Sequence, residues 1–262
     1  MALGEHLFDD PHLSRDGTRA CSSCHDVRTN GSDGRRFDLT PNGGLATFRT
    51  LTVFNAALSF RLNWEGNAES LEDAAALSLA DPQLMASSVA AAVIAVDADK
   101  VLSRQFKKVY GHGPDGRDLL NAIAMYERSL VTPGSRFDLW LGGDKAALSP
   151  EEITGYQLFK SFGCVSCHQG VDLGGNLFER SGIFHPIGGA QEQFLLVPSL
   201  RNIAVMAPYF HNGSGGTLDK AVAEMGYAQL DRHLSDDQVK AICAFLTTLT
   251  GRFNGRQLTQ AR

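Results

Sequence analysis

Two short stretches of this chain carry the same set of reactive side chains: Cys21, Cys24 and His25 in "CSSCH", and Cys164, Cys167 and His168 in "CVSCH". In each, two thiols flank a two-residue spacer and an imidazole follows at once. Three chemistries use a Cys-x-x-Cys pair. A thiol–disulfide redox centre sits in a strand–helix–strand setting, and no such pattern surrounds either copy. A four-cysteine zinc site needs pairs far closer together along the chain than these. Covalent c-type haem explains the histidine as well: the thiols add to the haem vinyl groups and the adjacent imidazole becomes the proximal iron ligand. The spacing predicts two covalently bound c-type haems, with His25 and His168 as proximal iron ligands. The fifth cysteine, Cys243, lies on an apolar helical stripe and reads as a buried packing residue.

The elements that position these motifs are partly readable. Ser149, Pro150 and Glu152 form a capping box with proline at the first helical position. Ile153, Tyr156 and Phe159 then recur at helical spacing and run into Cys164. Leu119, Ile123, Tyr126 and Leu130 make another helical stripe, which Pro133 ends. Ser235 caps a third helix, with Val239, Ile242, Cys243, Leu246 and Leu249 on its apolar side and Gly251 as its stop. Strand signals are few and long Gly-rich stretches separate the helices. The reading is a mainly α architecture with long loops, in which haem supplies part of the apolar core. The joint between the halves is placed within residues 140–152. That gives an N-terminal haem domain over 1–147 and a C-terminal haem domain over 148–262.

The bulk properties set limits. At 262 residues the chain holds one large domain or two ordinary ones. A formal net charge of −5 argues against nucleic acid or an anionic membrane surface as partner. No apolar run reaches the length of a membrane span. The opening "MALGEHLFDD" has neither a basic segment nor an apolar one, so either the protein is cytosolic or a signal peptide is absent from this sequence.

Larger segments resemble a known family. "LGEHLFDDPHLSRDGTRACSSCH", "TVFNAAL", "RSLVTPGSRFDLWLGGD", "GYQLFKSFGCVSCHQGVDLGGNLF" and "VPSLRNIAVMAPYFHNGS" are similar to the bacterial dihaem cytochrome c peroxidases and their relative MauG. The resemblance covers nearly the whole chain. It implies two cytochrome c-like haem domains in a periplasmic, often dimeric protein. It implies hydrogen peroxide reduced at the N-terminal haem, with electrons entering through the C-terminal haem from a small donor protein such as a monohaem cytochrome c or a cupredoxin. Two alternatives stay open: a MauG-like oxidase acting on a protein substrate, and an electron-transfer or redox-sensing cytochrome without peroxidase activity. Carried over residue by residue, the resemblance makes Met225 the sixth ligand of the C-terminal iron and Trp64 the relay between the haems. Arg201, Pro208 and His211 match family positions near the domain interface.

The match breaks around the N-terminal haem. The family commonly places a glutamate and a glutamine there for proton transfer, and those positions are Leu84 and Ala74 here. The resting-state distal histidine falls at Pro41, and no histidine occurs between His25 and His112. Glu65, Glu69, Glu72 and Asp73 lie nearby, of which Glu65 and Glu72 are tentative proton relays. The asparagine of the family's interdomain calcium site falls at Arg49, which makes calcium doubtful.

Overall fold

The computed structural model describes residues 1–187 and 193–261. Helices dominate: α1 (Ala2–Phe8), α2 (Leu71–Ala80), α3 (Val89–Ala98), α4 (Lys100–Tyr110), α5 (Gly116–Glu127), α6 (Arg136–Leu141), α7 (Pro150–Ser161), α8 (Leu218–Leu230) and α9 (Asp236–Thr247). Two small antiparallel ribbons complete the described elements. β1 (Phe178–Arg180) pairs with β2 (Phe194–Leu196), placing Glu179 opposite Leu195. β3 (Arg252–Phe253) pairs with β4 (Arg256–Gln257). The two caps expected for α7 and α9 are formed: Ser149 and Glu152 cap reciprocally, as do Ser235 and Gln238.

Both halves are built on the same helix crossing. α1 lies across α5 and α7 lies across α9. At each crossing a glycine lets the backbones touch. A Cβ on Gly4 would collide with the carbonyl of Ala122, and a Cβ on Gly155 with the carbonyl of Ala241. Four residues on, a phenylalanine bridges the crossing and the haem motif. Phe8 meets Tyr126 with ring centroids 5.2 Å apart and lies 6.4 Å from the His25 ring. Phe159 meets Phe245 at 5.3 Å and lies 6.5 Å from the His168 ring. The two motifs are therefore seated by equivalent aromatic contacts.

A second correspondence starts at Asn55 and Asn202. Both are left-handed, with φ of 63° and 64°, and each opens a short 3-10 turn. The Asn55 N–H donates to the Leu130 carbonyl at 2.8 Å and the Asn202 N–H to the Leu249 carbonyl at 3.2 Å. Both asparagine amides donate to the Thr132 hydroxyl, at 2.9 and 3.0 Å. One buried threonine thus pins the two halves together.

The halves also exchange segments. α6 precedes the expected joint, yet Phe137 packs in the C-terminal core with Leu148, Phe159, Ile242 and Phe245. The C-terminal ribbon runs the other way: Phe253 meets Phe54 with tilted rings 5.0 Å apart, and Leu258 packs with Phe8, Val53 and Leu130 of the N-terminal half. α2, α3 and α4 belong to the N-terminal half and cover a core of Leu3, Leu7, Leu79, Val96, Phe106 and Ile123. Among the described residues no helix is long and apolar enough to cross a membrane.

Candidate functional site

Each Cys-x-x-Cys-His motif winds into a tight turn. The His25 N–H donates to the Cys21 carbonyl at 2.9 Å, and the His168 N–H to the Cys164 carbonyl at 3.0 Å. These turns bring the imidazole alongside its two thiols. All five cysteines are free thiols. Burial pushes Cys21 and Cys24 up to about 12 and Cys164 up to about 11. Thiols held protonated are unlike the low-value thiolates of a redox or zinc centre. Cys243 is partly rather than fully buried on α9, and burial raises its thiol to about 11.

Burial favours the neutral form of both motif histidines. His25 Nδ1 lies 3.2 Å from the Gly31 carbonyl, so an N–H there leaves the Nε2 lone pair available. Burial lowers its value below that of a free imidazole. Burial lowers His168 to about 4, with the nearby backbone of Leu173 and Pro198 opposing it. Its Nδ1 is buried without a hydrogen-bond partner.

A cleft of about 1930 Å³, counting its open mouth, runs from the second motif to the domain interface. Cys164, Cys167 and His168 form part of its wall. Leu218, Ala221, Val222 and Met225 of α8 form another part. The soft thioether and the neutral imidazole share this one apolar space. Arg201 lines it too, held by the Asp138 carboxylate at 2.6 Å and the Val171 carbonyl at 3.0 Å. A paired thiol turn and a buried, neutral imidazole on the wall of one apolar cleft fit a covalently held haem.

At the interface, Trp64 is buried and its indole N–H donates to the Arg49 carbonyl at 2.9 Å. Its ring stands edge-on to His211, with centroids 6.2 Å apart at 73°. Trp64 and His211 come from opposite halves and both line the cleft. Burial lowers His211 below the usual imidazole value. Pro208 follows a cis peptide bond three residues before it. Arg49 is buried, its guanidinium donates to the Met206 carbonyl at 3.0 Å, and its backbone N–H donates to the His211 carbonyl at 3.0 Å. Burial draws Arg49 down to about 10, still protonated near neutral pH. A fixed cation here opposes binding of a second one.

The N-terminal positions are placed differently. Ala74 lies partly buried on α2, and Leu84 sits in the turn after it, its N–H donating to the Asp81 carbonyl at 3.1 Å. Pro41 lies partly buried in the Gly-rich loop, and Glu65 is exposed. Glu72 is gripped by both arms of Arg128, at 2.9 and 2.8 Å, which hold its carboxyl below the usual range. A carboxylate committed in this way is a poor proton carrier. Its neighbour Glu127 has the opposite character. One of its carboxylate oxygens is buried without a partner, and burial, with the Glu72 charge adding, pushes it up to about 7. Glu127 and Asp172 escaped the reading of the sequence. Asp172 is also buried with an orphaned oxygen, and burial raises it to about 7. The available signal was an acidic residue set directly against an apolar stripe: Glu127 follows Tyr126, and Asp172 precedes Leu173.

Comparison with known proteins agrees with this geometry. Residues 1–146 match the di-haem cytochrome c peroxidase family and residues 153–250 match the cytochrome c family. The chain is 39% identical to a cytochrome c551 peroxidase of Nitrosomonas europaea, over 95% of this chain and 79% of that protein. It is also 39% identical to the cytochrome c peroxidase Ccp of Escherichia coli K12, over 96% of this chain but 58% of that longer protein. Its structure superposes with a TM-score of 0.83 on a MauG-like protein associated with microbial copper homeostasis. That match is 26% identical and covers 95% of this chain and 89% of the other.

Proposed function

The chain belongs to the di-haem cytochrome c peroxidase family, and from that premise we propose that it reduces hydrogen peroxide at the His25 haem with electrons entering through the His168 haem. The observation that carries this direction is the cleft in which His168 and Met225 line one apolar space beside Trp64. An imidazole and a thioether together would hold a haem iron as a high-potential electron acceptor rather than as a substrate site. The N-terminal half then receives the peroxide.

The chain's own residues have distinct tasks in this reading. Cys21 and Cys24, and Cys164 and Cys167, would anchor the two haems. His25 and His168 would hold the irons as neutral imidazoles. Met225 would offer the second haem a soft ligand. Trp64 places an indole between the halves and shortens the steps between them, while its hydrogen bond to Arg49 fixes the ring. Bound haem supplies the peroxide chemistry and the storage of oxidising equivalents. The donor is a small cytochrome or cupredoxin, and the compartment is the periplasm, where both haem attachment and such donors occur.

Intact mass of protein matured with c-type haem should show two haem increments, and the Cys164→Ser, Cys167→Ser double variant only one. That variant should lose turnover driven by reduced cytochrome c while its remaining haem still meets peroxide. Undiminished donor-driven turnover would overturn electron entry through the His168 haem. Arg49 supports a second expectation, that calcium is dispensable. Chelator treatment should leave spectrum and activation unchanged. Activation lost with chelator and restored by calcium would show that the ion binds despite the guanidinium.

A further inference from the structure

We propose that Ser78 holds, in the N-terminal half, the place that Met225 holds in the C-terminal half, and presents its hydroxyl to the open side of the His25 haem. This rests on the two-haem reading above and adds the residue that faces the open site.

From Asn55 and Asn202 into α2 and α8, the two halves repeat at one constant spacing along the chain. Asn55 matches Asn202 in its left-handed backbone and the 3-10 turn it opens. Asn63 matches Phe210, with φ of 67° and 68°. Gly66 matches Gly213, both at 62°. The isolated bridge between Leu62 and Ala68 matches that between Tyr209 and Gly215. Trp64 thereby matches His211, and the two rings meet at the interface. Ser70 and Thr217 then precede helices that begin at Leu71 and Leu218. Continued along those helices, the same spacing sets Ala74 against Ala221, Ala75 against Val222 and Ser78 against Met225.

The faces agree as well. Leu218, Ala221, Val222 and Met225 line the C-terminal cleft. Their counterparts have the i, i+3, i+4, i+7 spacing of one helix face. Leu71 is buried, and Ala74, Ala75 and Ser78 are partly buried.

The difference between the two side chains has a direct chemical consequence. The serine oxygen sits where methionine has Cγ, one bond short of the sulfur. A hydroxyl there stops short of iron and leaves space for a small exogenous ligand. It can donate one hydrogen bond to that ligand. One helix frame therefore yields a closed site with methionine and an open one with serine.

The test uses the oxidised holoprotein with both haems attached, followed by electron paramagnetic resonance and visible spectroscopy. Wild type should show one high-spin and one low-spin haem. Ser78→Met should convert the high-spin signal to low-spin and add a second sulfur-to-iron charge-transfer band. A fully loaded Ser78→Met protein that keeps its high-spin haem would overturn the placement of Ser78. A wild type already low-spin at both haems would instead overturn the open-site reading on which the proposal stands. Ser78→Ala tests the hydroxyl separately, with fluoride as probe. Its affinity for the high-spin haem should fall about tenfold or more, as expected when a hydrogen bond to an anion is lost. Ser78→Thr should bind fluoride as wild type does. Equal affinity in the alanine variant would overturn the hydrogen-bonding role.

Discussion

Met225→Ala should convert the C-terminal haem from low-spin to high-spin and abolish its sulfur-to-iron charge-transfer band. α8 carries Met225 on the same face as Leu218, Ala221 and Val222, which line the cleft that also contains His168. A thioether favours the reduced iron, so its removal lowers the potential of that haem. Axial ligands span about 0.8 V in proteins, and the shift should be a sizeable part of that range. With the acceptor potential lowered, donor-driven turnover should fall with it. The fold should survive, because Met225 is only partly buried and its truncation belongs at the low end of core deletions, about 2 kcal/mol. Visible spectra and a redox titration of the variant decide the matter. An unchanged spectrum would assign the sixth ligand to another residue.

The second large effect is expected at the N-terminal haem. Peroxide turnover with an artificial donor should be about 10² to 10⁴-fold below that of relatives with a distal glutamate, the range that positioned acid–base groups contribute. Ala74 and Leu84 cannot move a proton, and Glu72 is held ionised by Arg128. With Pro41 in place of a histidine, the iron should be open even when both haems are oxidised. Access is then immediate while proton transfer is slow. Leu84→Glu should recover part of the rate, with the carboxyl value raised by its apolar surroundings. Stopped-flow mixing of the oxidised proteins with peroxide measures both. Fast consumption by the wild type would point to Glu127 or Asp33, the carboxyls of this half that burial pushes up to about 7, as the group that carries the proton. Slow reaction in both proteins would favour a role in electron transfer or sensing over peroxide removal.

Much of the C-terminal haem site was legible in the residues themselves. The Cys-x-x-Cys-His turns are local structures closed by hydrogen bonds across four residues. The capping boxes at Ser149 and Ser235 are equally local, and the helices they start lie where periodicity placed them. α3 was harder to read. It is apolar on nearly every side, so no stripe marks its buried face. α6 showed its sequence but not its partner, because packing against Phe245 from the far end of the chain decides which core it joins. The paired Cys-x-x-Cys-His motifs mark an internal repeat in the sequence, but its residue-by-residue register was hidden for a related reason. That register resides in backbone conformation, and a left-handed Phe210 matched to a left-handed Asn63 has no signature in residue type.

Sequence alone pointed to the covalent haem chemistry and located the starts of α7 and α9, and it supplied the proposed ligands: the two imidazoles by motif and Met225 through family resemblance. Tertiary structure decided which charges survive and which faces meet. Glu72 and Glu127 are the same residue type in the same half. One is ionised because Arg128 grips it, and the other is pushed up to about 7 because burial removes its water. The alignment of Ser78 with Met225 likewise follows only once α2 and α8 are seen to start from matching turns. Bonding preferences travel with each residue, whereas desolvation and helix crossing depend on segments distant along the chain that only folding brings together.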